Sequence, residues 1–203
     1  MLSTQWTTTG RQTRNLNLNR RHYPMELRTK RLLSLWDHKT YTNRARPLDK
    51  PIDGLFVYQS LFSVEAFASR PAQNVTTQLA KVTAESLLEK IRSLRDDINQ
   101  RHRNFINNIG ELDINTHSTQ AFQEAETEQR LYTPGSVMLM KVFMAADRYF
   151  DTLYKARLNG ELTETEYDRR RNKMAKQITR NLNQVNVTCL SFHKVRKEAE
   201  ASI

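Results

Sequence analysis

Tyr23-Pro-Met-Glu-Leu-Arg-Thr-Lys30 runs directly into Arg31-Leu-Leu-Ser-Leu-Trp36, and the reading of this junction decides the fold. In the first eight residues Tyr23, Met25, Leu27 and Thr29 alternate with Pro24, Glu26, Arg28 and Lys30, the period of a short strand with one charged face. Leu32, Leu33, Leu35 and Trp36 then recur at helical spacing and predict a helix over residues 31–42. Pro47 and Pro51 stop that helix, because each disfavours helical geometry in the residue before it. Asp53 is placed to cap a second, broadly apolar helix from Leu55 to Ala68 that ends before Pro71.

Strand, helix, helix is the order of a ribbon-helix-helix DNA reader, in which strands from two protomers pair into one antiparallel ribbon that fits the major groove. If Tyr23, Met25 and Leu27 pack inward, the pleat turns Glu26, Arg28 and Lys30 toward the groove. Arg28 or Lys30 then donates to guanine O6 and N7, at about 1 to 3 kcal/mol per good bidentate contact, and Glu26 accepts from cytosine N4. Arg20, Arg21, Arg31 and Lys50 complete the expected DNA-binding set as contacts from beside the strand and the helix starts. The competing reading begins the first helix at Met25 and makes Arg28, Lys30 and Arg31 its solvated face.

Outward from this unit the chain reads as helical. Residues 1–22 form a polar, basic arm, 23–70 the DNA-binding region, and 71–203 a helical body for dimerisation or partner contacts. Thr76 or Thr77 caps a long helix in which Ala84, Leu87, Ile91, Leu94, Ile98 and Phe105 keep a three-and-four spacing up to Asn108. Gly110 ends it, and the acidic, polar stretch 111–130 is a loop or weak helix. After Pro134-Gly135 a core helix carries Leu139, Val142, Phe143, Ala146, Tyr149, Phe150 and Leu153, with Asn159-Gly160 as its stop. Thr163-Glu-Thr-Glu166 is a capping box that starts a last helix, although residues 185–189 alternate well enough to be a strand instead. The fold class is mostly α.

The chain has 203 residues and a net charge of +10, and the charge is not evenly spread. Residues 1–50 hold 11 basic and 3 acidic side chains, 51–160 hold 12 and 13, and 161–203 hold 9 and 6. A localised basic excess is the footprint of a polyanion binder, since each phosphate neutralised releases condensed counterions. The run Arg169-Arg-Arg-Asn-Lys173, with Lys176 and Arg180, is a second DNA-backbone candidate or else a solvated face balanced by Glu164, Glu166 and Asp168.

Catalysis finds little support. One cysteine, Cys189, excludes an internal disulfide and a single-chain cysteine zinc site, and suits a reducing cytoplasm. His22, His38, His102, His117 and His193 show no metalloprotease spacing, no phosphate-cradling glycine loop occurs, and no cofactor is called for. Asp147 and Asp151, one helical turn apart beside Arg148 and Lys155, are better explained by helix-surface pairing than as a magnesium-holding pair of a nuclease or other hydrolase. The first ten residues lack a signal-peptide pattern, and residues 137–146, interrupted by Lys141, fall well short of the roughly 20 apolar residues of a membrane span.

Several ordered pieces resemble the AcaB-type family of regulators encoded on conjugative plasmids and integrating conjugative elements. They are Glu26-Leu-Arg-Thr-Lys-Arg-Leu-Leu-Ser-Leu-Trp36, Ile52-Asp-Gly-Leu-Phe56, Leu131-Tyr-Thr-Pro-Gly135, Ala145-Ala-Asp-Arg-Tyr-Phe-Asp151 and Lys155-Ala-Arg-Leu-Asn-Gly160. The segment from Ala68 to Thr77 departs from the family's acidic, aromatic stretch. The resemblance implies a sequence-specific activator bound upstream of a promoter for conjugative-transfer genes. Its partners would be double-stranded DNA, a second copy of the chain and RNA polymerase. A structural or coupling component of a DNA-transfer apparatus is the alternative from a different class.

Overall fold

The computed structural model describes residues 25–42, 52–72, 74–112, 123–125 and 131–201. The expected arm with Arg20 and Arg21, Tyr23 of the expected strand, and Lys50 ahead of the Asp53 cap lie outside them. The described elements are β1 (Met25–Leu27), α1 (Lys30–Trp36), α2 (His38–Tyr41), α3 (Gly54–Ala68), α4 (Val75–Asn108), β2 (Gln123–Ala125), α5 (Pro134–Leu158) and α6 (Glu164–Ala201). The fold is mostly helical, and no described helix is long and apolar enough to cross a membrane.

Four long helices make the body. α4 and α6, of 34 and 38 residues, extend about 51 and 57 Å at 1.5 Å per residue. Each carries an apolar stripe at three-and-four spacing: Leu87, Ile91, Leu94, Ile98 and Phe105 on α4, and Ile178, Leu182, Val185, Cys189 and Phe192 on α6. α5 lies against both and is buried over a wider face, from Leu139 to Ala156. One hydrophobic cluster joins these stripes to Met25, Leu27, Leu32, Leu33 and Trp36, so the strand-helix junction shares the core of the helical body.

Trp36 is the hinge of that shared core. Its ring meets Tyr58 of α3 and Phe143 of α5 edge-on, at centroid distances of 5.8 and 5.0 Å. α3 reaches this ring only because residue 54 has no side chain: a Cβ there would stand 2.5 Å from the Trp36 ring. Asp53 caps α3 as its sequence position predicts, accepting from the Phe56 N–H at 2.9 Å, and also accepts from the His38 N–H at 3.0 Å. One carboxylate thereby joins the starts of α2 and α3.

The strand reading holds over fewer residues than its alternation suggests. β1 covers Met25–Leu27, with Met25 and Leu27 buried and Glu26 exposed, and Lys30 is the first residue of α1. Its observed partner is β2 of the same chain, antiparallel, with Met25 opposite Ala125 and Leu27 opposite Gln123. A strand therefore lies within 111–130, where a loop or weak helix was expected; a three-residue strand is too short to carry a period through the surrounding polar sequence. The first helix is also divided, because the Asp37 side chain accepts from the Thr40 N–H at 2.9 Å and starts α2 anew.

Elsewhere the local signals are resolved. Asn74, rather than Thr76 or Thr77, caps α4, accepting from both the N–H and the hydroxyl of Thr77. Gly160 takes a φ of 78° after α5, a conformation that favours glycine at a helix end. Thr163 accepts from the Glu166 N–H at 3.2 Å at the start of α6. Residues 185–193 continue α6, with Val185, Asn186, Cys189 and Phe192 buried along one side.

Candidate nucleic-acid interface

The turn from β1 to α1 is built by a carboxylate from another element. Asp147 of α5, itself buried, accepts from the Arg28 N–H at 3.1 Å and from the Thr29 N–H at 3.0 Å. These are donors that the helix start cannot satisfy within α1, and Thr29 makes no side-chain cap of its own. Asp151, one turn further along α5, meets the Arg28 guanidinium at 3.7 Å and the Lys155 ammonium at 2.9 Å. The two aspartates thus anchor the junction, and their i,i+4 spacing puts both against the same short segment.

This anchoring decides which predicted reading heads are available. Arg28 is held over Asp151, half-buried, while Glu26 is the one outward side chain of β1. Lys30 and Arg31 are exposed at the start of α1 and make no ion pair among the described residues. Arg28 and Lys30 have both left the strand, so they do not share Glu26's face as the alternation predicts. The backbone turns at Thr29 because Asp147 accepts its N–H, an influence from 118 residues away in sequence.

The second basic group comes together with the first. Arg169, Lys173, Lys176 and Arg180 stand at i, i+4, i+7 and i+11 on α6, all exposed, forming one outward ridge about 16 Å long. Arg31 and Leu35 of α1 line a cleft of about 430 Å³ with Lys176, Thr179 and Arg180. On its other flank the ridge borders a groove against α4, where Lys90 and Arg101 face Lys173, Lys176 and Arg180. The helical period of the basic residues was visible in sequence; their meeting with Arg31 and Lys90 was not.

The acidic residues that would balance this ridge are mostly engaged elsewhere. Glu164 binds Arg157 at 2.9 Å, Asp168 binds Arg171 at 2.9 Å, and only Glu166 approaches the ridge, at 3.6 Å from Arg169. Lys173, Lys176 and Arg180 form no ion pair among the described residues. Asp97, on the α4 side of the groove, accepts from Gln177 at 2.6 Å and pairs with Arg101 at 3.0 Å. Burial acts to raise its pKa, but these hydrogen bonds, with the charges of Arg101 and Lys173, hold the carboxyl below its ordinary value.

Among the described residues no group of three or more His, Cys, Asp or Glu side chains could hold a metal ion. Asp147 is engaged by backbone N–H groups, and Asp151 by the cations of Arg28 and Lys155. Comparison with known proteins gives no match among family models, curated sequences or solved structures.

Proposed function

We propose that the chain is a sequence-specific DNA-binding transcriptional regulator that grips duplex backbone through the α6 ridge and the start of α1. The observation that carries this reading is the ridge itself: four outward cations in one line, three of them forming no ion pair among the described residues, with Arg31 sharing a cleft with Lys176 and Arg180. A 16 Å line of charge is long enough to meet several phosphates of a duplex, whose strands each carry one about every 3.4 Å of axis. The rim position of Lys30 and Arg31 suits base or phosphate contact, and Glu26 beside them is the one candidate acceptor on β1.

The resemblance to AcaB-type regulators supports activation of conjugative-transfer genes from an upstream site, with RNA polymerase as a further partner. A homodimer is the working form in this reading. Past Arg180 the same side of α6 continues into Val187 and Leu190, which are 64% and 58% exposed and offer a second copy an apolar contact. The ribbon-helix-helix arrangement belongs to the same proposal in altered form: β1 pairs within its own chain, and the groove-reading role shifts from a strand to the first turn of α1.

Binding of a promoter-containing fragment from the host plasmid or element, measured across salt concentrations, tests the reading. The expected affinity falls steeply with salt, by close to one logarithmic unit of slope per phosphate neutralised. A flat salt response rejects the phosphate grip. Chromatin mapping that finds no discrete upstream site would favour the structural or coupling component of a transfer apparatus instead.

A further inference from the structure

Three residues of α6 line the clefts on both of its flanks: Lys176, Arg180 and Gln184 border α1 across one cleft and α4 across the other. Residues shared by two flanking clefts stand on the crest between them. Helical spacing puts this crest opposite the buried stripe of Ile178, Leu182, Val185 and Cys189, so it is the side of α6 turned furthest from the core.

The chemistry of the crest changes along its length. Lys176 and Arg180 are cations, whereas Gln184, one turn beyond Arg180, is an exposed carboxamide whose side chain makes no hydrogen bond among the described residues. Asn183 beside it is also exposed, but its amide donates to the Thr179 carbonyl at 3.0 Å. Gln184 is therefore the member of this pair that keeps both its donor and its acceptor open.

The α4 side supplies a charge at the same level. Phe105 of α4 meets Arg170, and Asp97 meets Gln177, so the two helices run antiparallel. Seven residues back along α4 and seven on along α6, Lys90 falls opposite Gln184, and both line the same groove. Lys90 is exposed and forms no ion pair among the described residues. Gln184 thus stands between two exposed cations, Lys90 across the groove and Arg180 about 6 Å back along the helix. A helix roughly 10 to 12 Å across fits a major groove about 12 Å wide, which phosphates border on both sides.

We infer that the crest of α6 enters the major groove of the bound duplex and that Gln184 reads an adenine there, donating to N7 and accepting from the N6 amino group. The inference rests on the DNA-binding reading above and adds a second reader to the start of α1, whose Arg31 lines the cleft on the other flank. Cations fix the register through phosphates. A neutral amide releases no counterion, so its contribution lies in the base edge that its paired donor and acceptor match.

Competition binding with the full chain tests this, using the promoter-containing fragment and a shuffled fragment of the same length. Gln184→Ala should lower the preference for the promoter fragment about tenfold and leave the salt slope unchanged. Asn183→Ala, at the neighbouring amide, should keep that preference within about twofold. Gln184→Glu replaces the donor by a second acceptor, so the preferred base at one position should change from adenine to cytosine. At that position 7-deazaadenine, which lacks the N7 acceptor, should weaken wild-type binding several-fold and leave Gln184→Ala unaffected. Preference retained in Gln184→Ala, an equal loss on both fragments, or a loss of the same size in Asn183→Ala overturns Gln184 as the reader and leaves the phosphate grip standing. A wild-type chain whose affinity does not respond to salt overturns the DNA-binding reading itself.

Discussion

Charged side chains follow opposite rules in the two halves of this molecule. Around the α5 start and the β1–α1 turn, the carboxylates of Glu65 and Asp147 are buried and receive backbone N–H groups: Glu65 accepts from Gly135 at 2.9 Å and from the Thr133 hydroxyl, and Asp147 from Arg28 and Thr29. Along the outer side of α6, the cations of Lys173, Lys176 and Arg180 are exposed and form no ion pair among the described residues. A buried charge without partners would destabilise the fold, so those carboxylates are satisfied internally. An exposed charge is held by water at little cost, which leaves the ridge open to an external anion. The contrast separates what holds the fold together from what is offered to a partner.

Asp147→Ala gives the largest effect expected from this contrast. It leaves two N–H groups at the β1–α1 turn without an acceptor, a loss of about 3 kcal/mol. For a chain of this size that lowers Tm by roughly 6 to 12 °C, readable by circular dichroism. A Tm within a degree of wild type would mean that the turn does not depend on this carboxylate. Gly54→Ala comes next: its Cβ meets the Trp36 ring at 2.5 Å, and overpacking of this kind costs about 2 kcal/mol. Near-UV circular dichroism should report the displaced tryptophan, and an unchanged spectrum would show that the α1–α3 contact is looser than its geometry indicates.

The ridge should behave in the reverse manner. Replacing Lys173, Lys176 and Arg180 together by alanine should leave Tm nearly unchanged, weaken DNA binding about tenfold, or 1.4 kcal/mol, and reduce the salt slope by close to three. A marked drop in Tm with no change in slope would turn the ridge into a structural feature and collapse the comparison. Arg28→Ala is the control, since its guanidinium lies over Asp151 rather than in the line of free cations.

The smallest effect comes from pH. Burial, and then the nearby Glu65 charge, push the Cys189 thiol up to about 12 from 9.0, so the folded protein keeps it neutral where the unfolded chain begins to ionise. The unfolded state then releases a proton that the folded state retains, and stability declines as pH rises above about 9. Alkylation of Cys189 should be slow in the folded protein and rapid once denaturant unfolds it. Rapid labelling of the native chain would show that this end of α6 opens readily.

Much of the helical architecture was legible because it depends on patterns within single segments. The three-and-four spacing of Leu87 through Phe105, the Asp53 cap, the Asn159-Gly160 stop and the Thr163 cap each act over a few residues. The end of β1 and the presence of β2 were not legible, because three-residue strands leave almost no period to detect. The spacing of Asp147 and Asp151 on one helix predicts the Lys155 pairing that Asp151 makes, while their contacts to residues 28 and 29 leave no trace in sequence.

The sequence by itself determined that the chain would be mostly helical, where its long apolar stripes lay, and that basic residues were concentrated toward its two ends. Those properties depend on neighbours along the chain, and side-chain type with spacing is enough to set them. Only the tertiary structure decided which of the basic residues are free. It tied Arg28 to α5, brought Arg31 beside Lys176 and Arg180, and turned Arg170 inward over Phe105. Whether a charge is satisfied depends on atoms contributed by distant segments, and packing of the helices is what brings those atoms within reach.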